Sequence, residues 1–387
     1  MNLSDYFNPV ELEKPELNTN LGNSVFHKNI YTHTINSPVN NLNGIDLVIL
    51  GIGEDRNARI KGAADAPDFI RSKLYQLSSI KNIHIADLGN FKTGKEINDT
   101  YVGLSDVYSY LHSQKVNCLV IGGSNDLIFP FINNEINKQK ETDVTFIDAR
   151  IDFEMGVDQY HSENFINHLL DSQGEYKLYI NNLGYQNYLN NSDAIVFLES
   201  DMHNLNRLGI VRQSIEKFEP VLRSSDIVSI DICAVKQSEA QGQYNPSPNG
   251  FTGEEVCQLA WYSGQSEKTM VFGIFDVIPN KDINMQTSGL AAQIAWHYIY
   301  GVANRYHEYP GKTEHFKKFI IGLETNNQNI SFYKSNVSDR WWLEITNNNP
   351  GFEKVYVPCN QEDYNMACNH EIPDVWWKAC QRYNIVK

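Results

Sequence analysis

Asp148, Asp152 and Asp231 carry the clearest chemical signal in this 387-residue chain. Each stands just past a short apolar run. Run 118–121 leads into Gly122-Gly123-Ser124-Asn125-Asp126. Run 144–147 leads into Asp148-Ala149-Arg150-Ile151-Asp152, and run 227–230 into Asp231-Ile232-Cys233. In an open parallel α/β sheet, sites form at the carboxyl ends of strands, so the three aspartates converge near one crevice. Asp148, Arg150 and Asp152 alternate, which puts them on one side of an extended segment. A single carboxylate at a strand end reads as a cap for the next helix. Three at neighbouring strand ends weaken that reading, because gathered like charges need a cation or a proton.

The elements that must position these residues alternate along the chain. Runs 45–50, 83–88, 118–121, 144–147, 178–181, 194–198, 227–230 and 270–275 read as buried strands. Helical spacing separates most of them, at 66–77, 101–113, 164–170, 204–217, 253–263 and 288–300. In the first of these Phe69, Ile70, Leu74 and Leu77 share a face, and Pro67 sits early, where its missing N–H costs little. Such an alternation predicts an α/β domain with a mostly parallel sheet covered on both faces. Residues 1–44 are expected to pack on that core, and residues 45–305 to form it. Residues 306–387 read as an extension, with 318–323 and 330–334 pairing around Thr325-Asn326-Asn327-Gln328-Asn329. Its tail holds Trp341-Trp342 and Trp376-Trp377. These cover apolar surface of the main domain or, alternatively, form a patch for a protein partner.

Composition narrows the function. Lys plus Arg is 32 against 47 for Asp plus Glu, a net charge of −15. That balance argues against nucleic acid or an anionic membrane surface as partner. No apolar stretch is long enough to span a bilayer. The first residues carry neither a basic nor an apolar leader segment, so a cytoplasmic protein is expected. Six cysteines are too few for a disulfide scaffold in a chain this long. Cys118 and Cys233 are expected as buried thiols. Gly51-Ile52-Gly53 lacks the third glycine of a dinucleotide fingerprint, and no P-loop is present. Cys359, Cys368, His370 and Cys380 lack the Cys-x-x-Cys pair of a zinc site.

At the strand-end residues the sequence resembles the ureohydrolase family of arginase, agmatinase and formimidoylglutamase. The family's Gly-Gly-x-His-(Asp/Ser), Asp-Ala-His-x-Asp and Ser-(Ile/Phe)-Asp-x-Asp signatures appear here as 122–126, 148–152 and 229–233. Three further segments agree in order. Gly62-Ala63-Ala64-Asp65-Ala66-Pro67 with Ile70-Arg71 is one. Pro248-Asn249-Gly250-Phe251 with Glu254 is another. Asp276-Val277-Ile278-Pro279 with Asp282, Thr287 and Ala291-Ala292 is the third. The resemblance covers roughly 45–305 and looks most like divergent formimidoylglutamase-like proteins of Bacteroidetes type. It implies the three-layer α/β/α fold of that family.

It also implies a two-manganese site held by two histidines and four aspartates, hydrolysing a linear amidine or guanidine. Asp148, Asp152 and Asp231 match that ligand set. Asn125 and Arg150 replace the histidines, and Cys233 replaces the last aspartate. The family's late substrate-gripping glutamate is shortened to Asp276. Asp126, His161 and Asp276 are candidates for the pocket wall. A guanidinium stays protonated and cannot ligate a metal. Arg150 is therefore expected to pair with at least one of the three aspartates as an internal counter-ion. No cofactor is expected, or at most one divalent cation (Mn²⁺, Mg²⁺ or Ca²⁺). Three functions follow: a pseudoenzyme binding a small molecule in the strand-end pocket, a divergent one-metal C–N hydrolase, or a structural role through the extension.

Overall fold

The computed structural model describes residues 1–11, 21–138, 141–157, 159–172, 174–311, 314–323, 328–346, 354–383 and 385. Its strands are β1 (Phe7–Asn8), β2 (Tyr31–Thr32), β3 (Leu47–Gly51), β4 (Ile85–Phe91), β5 (Asn117–Ile121), β6 (Glu141–Ile147), β7 (Lys177–Tyr185), β8 (Asn204–Arg207), β9 (Ile227–Asp231), β10 (Val271–Phe275), β11 (Phe316–Leu323), β12 (Gln328–Ser335), β13 (Trp341–Ile345) and β14 (Val355–Cys359). Its helices are α1 (Ala66–Leu74), α2 (Ile97–Ser113), α3 (Phe129–Ile136), α4 (Phe165–Ser172), α5 (Ser192–Ser200), α6 (Leu208–Gln213), α7 (Glu219–Ser224), α8 (Gly253–Gly264), α9 (Gln286–Ala303), α10 (Gln361–Cys368) and α11 (Asp374–Arg382).

Strands β4-β3-β5-β10-β9-β6-β7-β8 form one parallel sheet in that order. Short β1 and β2 from the N-terminal segment pair with β4, antiparallel and parallel respectively. Period-2 alternation explains the layering. In β5, Leu119 and Ile121 face a core shared with α1, α8 and α9, while Cys118 and Val120 face one shared with α2, α3 and α4. All four are fully buried. Burying a side chain of this size contributes about 1.5–3 kcal/mol. Helix α8 starts where it does because Thr252 and Glu255 form a reciprocal cap: the Thr252 hydroxyl accepts from Glu255 N, and the Glu255 carboxylate from Thr252 N.

Two elements differ from expectation. Run 194–198 is not a strand but the middle of α5, whose Asn191 side chain accepts from Asp193 N. Its buried residues are Ala194 and Leu198, one helical turn apart. A short apolar run does not distinguish a buried strand from one helix face. Segment 204–217 is not one helix. It opens as β8, which extends the sheet beside β7, and only then turns into α6. Edge pairing overrides a weak helical spacing there. Helix α3 had no counterpart in the sequence reading.

The extension holds more than a strand pair. β11-β12-β13-β14 form an antiparallel sheet with its own core, closed by residues of α10 and α11. β11 and β12 pair as expected, but 325–327 of their connection lie outside the described residues. Trp341 is buried within that core, and Cys359 and Cys380 lie beside it. Trp342 meets the main domain, its ring 4.2 Å from the Arg223 guanidinium of α7. Trp377 is exposed.

The extension also docks on the amino ends of the parallel strands. Arg382 stacks 3.9 Å from the Tyr179 ring and pairs with Glu141 at 2.7 Å and Asp143 at 2.8 Å. Lys268 completes the cluster, 2.9 Å from both Asp143 and Asp226. Burial alone would raise the Asp143 pKa, but Lys268 and Arg382 outweigh it and hold it below the ordinary value. Arg382→Ala should therefore cost about 1–3 kcal/mol, because Asp143 keeps only Lys268 as ionic partner. The urea midpoint should fall, and protease should cut the extension sooner than in the parent. An unchanged midpoint would show that this contact is incidental.

Candidate active site

Four adjacent strands, β5-β10-β9-β6, deliver the sequence-flagged residues to one place. Asn125 follows β5, Asp276 follows β10, Asp231 ends β9, and Asp148 and Asp152 follow β6. The turn after β5 depends on two glycines with positive φ. A Cβ on Gly122 would sit 2.4 Å from the Pro67 ring, and one on Gly123 would meet the Ile52 and Glu54 carbonyls at 2.8 and 2.7 Å. Only glycine allows that approach.

Asn125 is the hub. Its side-chain nitrogen donates to Asp152 Oδ2 at 3.0 Å, and its oxygen accepts from Ser229 Oγ at 2.8 Å. Its backbone N–H donates to Asp276 Oδ2 at 3.2 Å. Asp231 Oδ1 accepts from Cys233 N at 2.6 Å, while Asp231 Oδ2 is buried without a partner. Asp148 Oδ1 accepts from Arg150 N at 2.9 Å. The four carboxylates of Asp148, Asp152, Asp231 and Asp276 are 2, 4, 1 and 6% exposed, so water screens little of their repulsion.

Their electrostatics follow from that burial. Loss of hydration is the largest cause for every one of them. It pushes Asp231 up to about 6. Asp148, Asp152 and Asp276 rise well above the ordinary value, with the Asp231 charge adding to burial each time. The Cys233 thiol is pushed up too, by burial and then by Asp231, so it stays protonated at neutral pH.

Arg150 does not pair as expected. Among the described residues no carboxylate lies within salt-bridge distance of its guanidinium. With the Asn245 amide turned so that its oxygen faces it, Arg150 Nη2 and Nη1 donate to that oxygen at 2.7 and 2.9 Å. Asn245 belongs to the loop between β9 and α8. The Arg150 charge acts at longer range and offsets a small part of the rise at Asp148, Asp152 and Asp231.

The remaining candidates separate. Asp126 is fully buried and accepts from Ser124 Oγ at 2.5 Å, Asn57 Nδ2 at 3.2 Å and the Tyr101 hydroxyl. It anchors loops, and its charge reaches Asp276. His161 faces the loop residues Arg59, at 2.9 Å, and Glu154, at 3.4 Å. Asn245, Ser229 and Tyr244 were missed. Tyr244 stands near the cluster, its pKa raised by burial and by Asp231. Ser229 lay inside a recognised motif, but nothing in the spacing of 236–250 marks Asn245 or Tyr244.

At three of the positions where the resemblance implies metal ligands, the side chains have other chemistry. The Asn125 oxygen is committed to Ser229 and its nitrogen faces Asp152, the reverse of a ligand's orientation. Position 150 presents a cation and position 233 a protonated thiol.

Fold and site together define a three-layer α/β protein with a buried carboxylate cluster at the carboxyl end of its parallel sheet. The arginase family's sequence model matches residues 45–301. The chain belongs to the arginase family. Formimidoylglutamase from Lysinibacillus sphaericus is 24% identical over 269 residues, covering 65% of this chain and 81% of that protein. Formimidoylglutamase from Bacillus subtilis is 22% identical over 265 residues, covering 62% and 82%. Among solved structures, Trypanosoma cruzi formiminoglutamase with Mn²⁺ superposes with a TM-score of 0.63 at 19% identity, covering 69% of this chain and 96% of that one. Agmatine ureohydrolase of Thermoplasma volcanium gives 0.59 at 23%, covering 68% and 92%. The structural likeness supports the fold. No described helix is long and apolar enough to cross a membrane.

Proposed function

We propose that this arginase-family protein no longer performs two-metal hydrolysis and serves as a binding protein built on the ureohydrolase fold. The observation that carries this reading is Arg150, a permanent cation engaged with Asn245 where the family resemblance calls for a metal-ligating histidine. Asn125 and Cys233 support it, one by the orientation of its amide and the other by a thiol that stays protonated. Without the pair of ions, nothing in the cluster generates a hydroxide at neutral pH. The fold then persists as a scaffold for binding.

Metal analysis of protein purified without chelator tests this. The expected result is less than one Mn²⁺ per chain, with arginine, agmatine and formimidoylglutamate hydrolysed at background rate. Two bound Mn²⁺ per chain, or turnover that vanishes in Asp148→Ala, would overturn the reading. The double variant Arg150→His with Cys233→Asp should raise the metal content above that of the parent.

A second reading rests on one observation. Asp231 Oδ2 is buried without a hydrogen-bond partner and would take a single hard cation, although among the described residues no three side chains stand grouped as metal ligands. One Mn²⁺ or Mg²⁺ per chain with slow amidine hydrolysis would favour that reading.

A further inference from the structure

A cavity lies beside the carboxylate cluster, at the carboxyl ends of β7 and β8. Its volume is about 360 Å³. That falls within the ~300–1,000 Å³ of small-ligand sites. Arg207, Arg212 and Lys236 line it with Tyr185 and Tyr188, and no aspartate or glutamate is among its lining residues. A cationic hollow stands out on a chain of net charge −15.

Each cation is held by a partner and keeps donors to spare. Arg207 Nε donates to the Tyr185 hydroxyl at 3.2 Å. Arg212 Nε donates to Glu255 at 2.9 Å, and Lys236 pairs with Glu239 at 2.6 Å. Among the described residues, no hydrogen bond engages the terminal nitrogens of either guanidinium. Glu255, Glu239 and, at longer range, Glu199 act on these cations from outside, so the lining itself carries only positive charge. Planar forks with free N–H groups match the oxygens of a carboxylate or phosphate. The floor is firm, because the buried Tyr185 hydroxyl orients Arg207. Tyr188 is exposed and offers a ring face, its hydroxyl engaged by the side chains of Gln186 and Asn249.

The cavity wall is tied to the neighbouring cluster through the backbone. Gln186 N donates to Ala149 O at 3.0 Å, the carbonyl between Asp148 and Arg150. Gln186 Nε2 donates to Asn249 O at 3.3 Å across the rim.

We propose that this cavity binds a small organic anion, with Arg207, Arg212 and Lys236 holding its carboxylate or phosphate oxygens and Tyr188 covering its body. The proposal names a ligand class for the binding-protein reading but stands apart from the metal question, since none of these residues belongs to the carboxylate cluster.

Calorimetric titration of the full chain, stripped of metal with EDTA and then dialysed into chelator-free buffer at low salt, tests it, with glutarate and pyrophosphate as separate probes. EDTA removes divalent metal, so the outcome is independent of hydrolysis. Saturable one-to-one binding of either probe is expected, weakened by high salt. Glutarate alone binding would assign a carboxylate ligand, and pyrophosphate alone a phosphate. The variant Arg207→Gln/Arg212→Gln should bind at least about tenfold more weakly. Both arginines are exposed, so its melting curve should match the parent's. Arg207→Lys/Arg212→Lys should recover part of the affinity, as charge without the fork allows. Absence of binding by both probes up to about 10 mM, or equal affinity in the glutamine variant, would overturn the proposal.

Discussion

In EDTA at pH 8, Asp231→Asn should be more stable than the parent by about 3 kcal/mol, with the gain falling to roughly half at pH 5 and nearly to nothing at pH 4. Folding raises the Asp231 pKa from 3.8 to about 6. A carboxyl raised in this way holds its proton more tightly in the native state than in the unfolded chain. Its penalty is absent below the unfolded value, grows through the window between the two, and is complete above the folded one. Asparagine removes that penalty and keeps an oxygen for Cys233 N. It also removes the charge that helps to raise Asp148, Asp152 and Asp276. Chemical denaturation at the three pH values reads the effect. If the variant were less stable than the parent at pH 8 in EDTA, the account of mutual repulsion would fail. If added Mn²⁺ stabilised the parent far more than the variant, a cation would be shown to occupy the cluster.

The second large effect lies behind the site. Arg71 and Asp87 are both fully buried and form a forked pair, Nε to Oδ2 at 2.8 Å and Nη2 to Oδ1 at 3.2 Å. The remaining nitrogen of Arg71 reaches Asp68 and Asn90, each at 2.9 Å. Asp87 also accepts from the Tyr75 hydroxyl and Gly89 N, each at 2.9 Å. Arg71→Ala strands Asp87 in the interior, a loss of about 3–5 kcal/mol. The urea midpoint should fall accordingly, with the slope unchanged. Arg71→Lys should recover only part, because an ammonium cannot span both Asp87 oxygens and Asn90 together. A midpoint within error of the parent for the alanine variant would mean that the pair contributes nothing.

The parallel sheet was legible in the sequence because its strands are buried on both faces. Runs such as 118–121 and 227–230 are short and apolar, and their alternation with helical segments favours covered strands. The placement of Asp148, Asp152 and Asp231 followed from topology, since strand ends gather whatever follows them. Run 194–198 was misread because a helix pressed on one side by Ala194 and Leu198 has the same short apolar signature. β8 was missed because its polar residues, Asn204 to Arg207, are drawn into the sheet by a neighbouring edge rather than by their own preference. The partner of Arg150 could not be read for a related reason. A loop some 95 residues further on brings Asn245 to it, and long-range loop contacts leave no periodic trace in a sequence.

The place where the extension docks has a consequence for communication within the molecule. Arg382 and Lys378 contact the amino ends of β6, β7 and β8, whereas the aspartates and the cationic cavity lie at the carboxyl ends. About 16 Å of strand separates the two ends. Any signal from one to the other would have to pass through a sheet held between two close-packed layers. Loosening the extension, as in Arg382→Ala, should therefore leave anion affinity at the cavity unchanged, and calorimetric titration of that variant checks it.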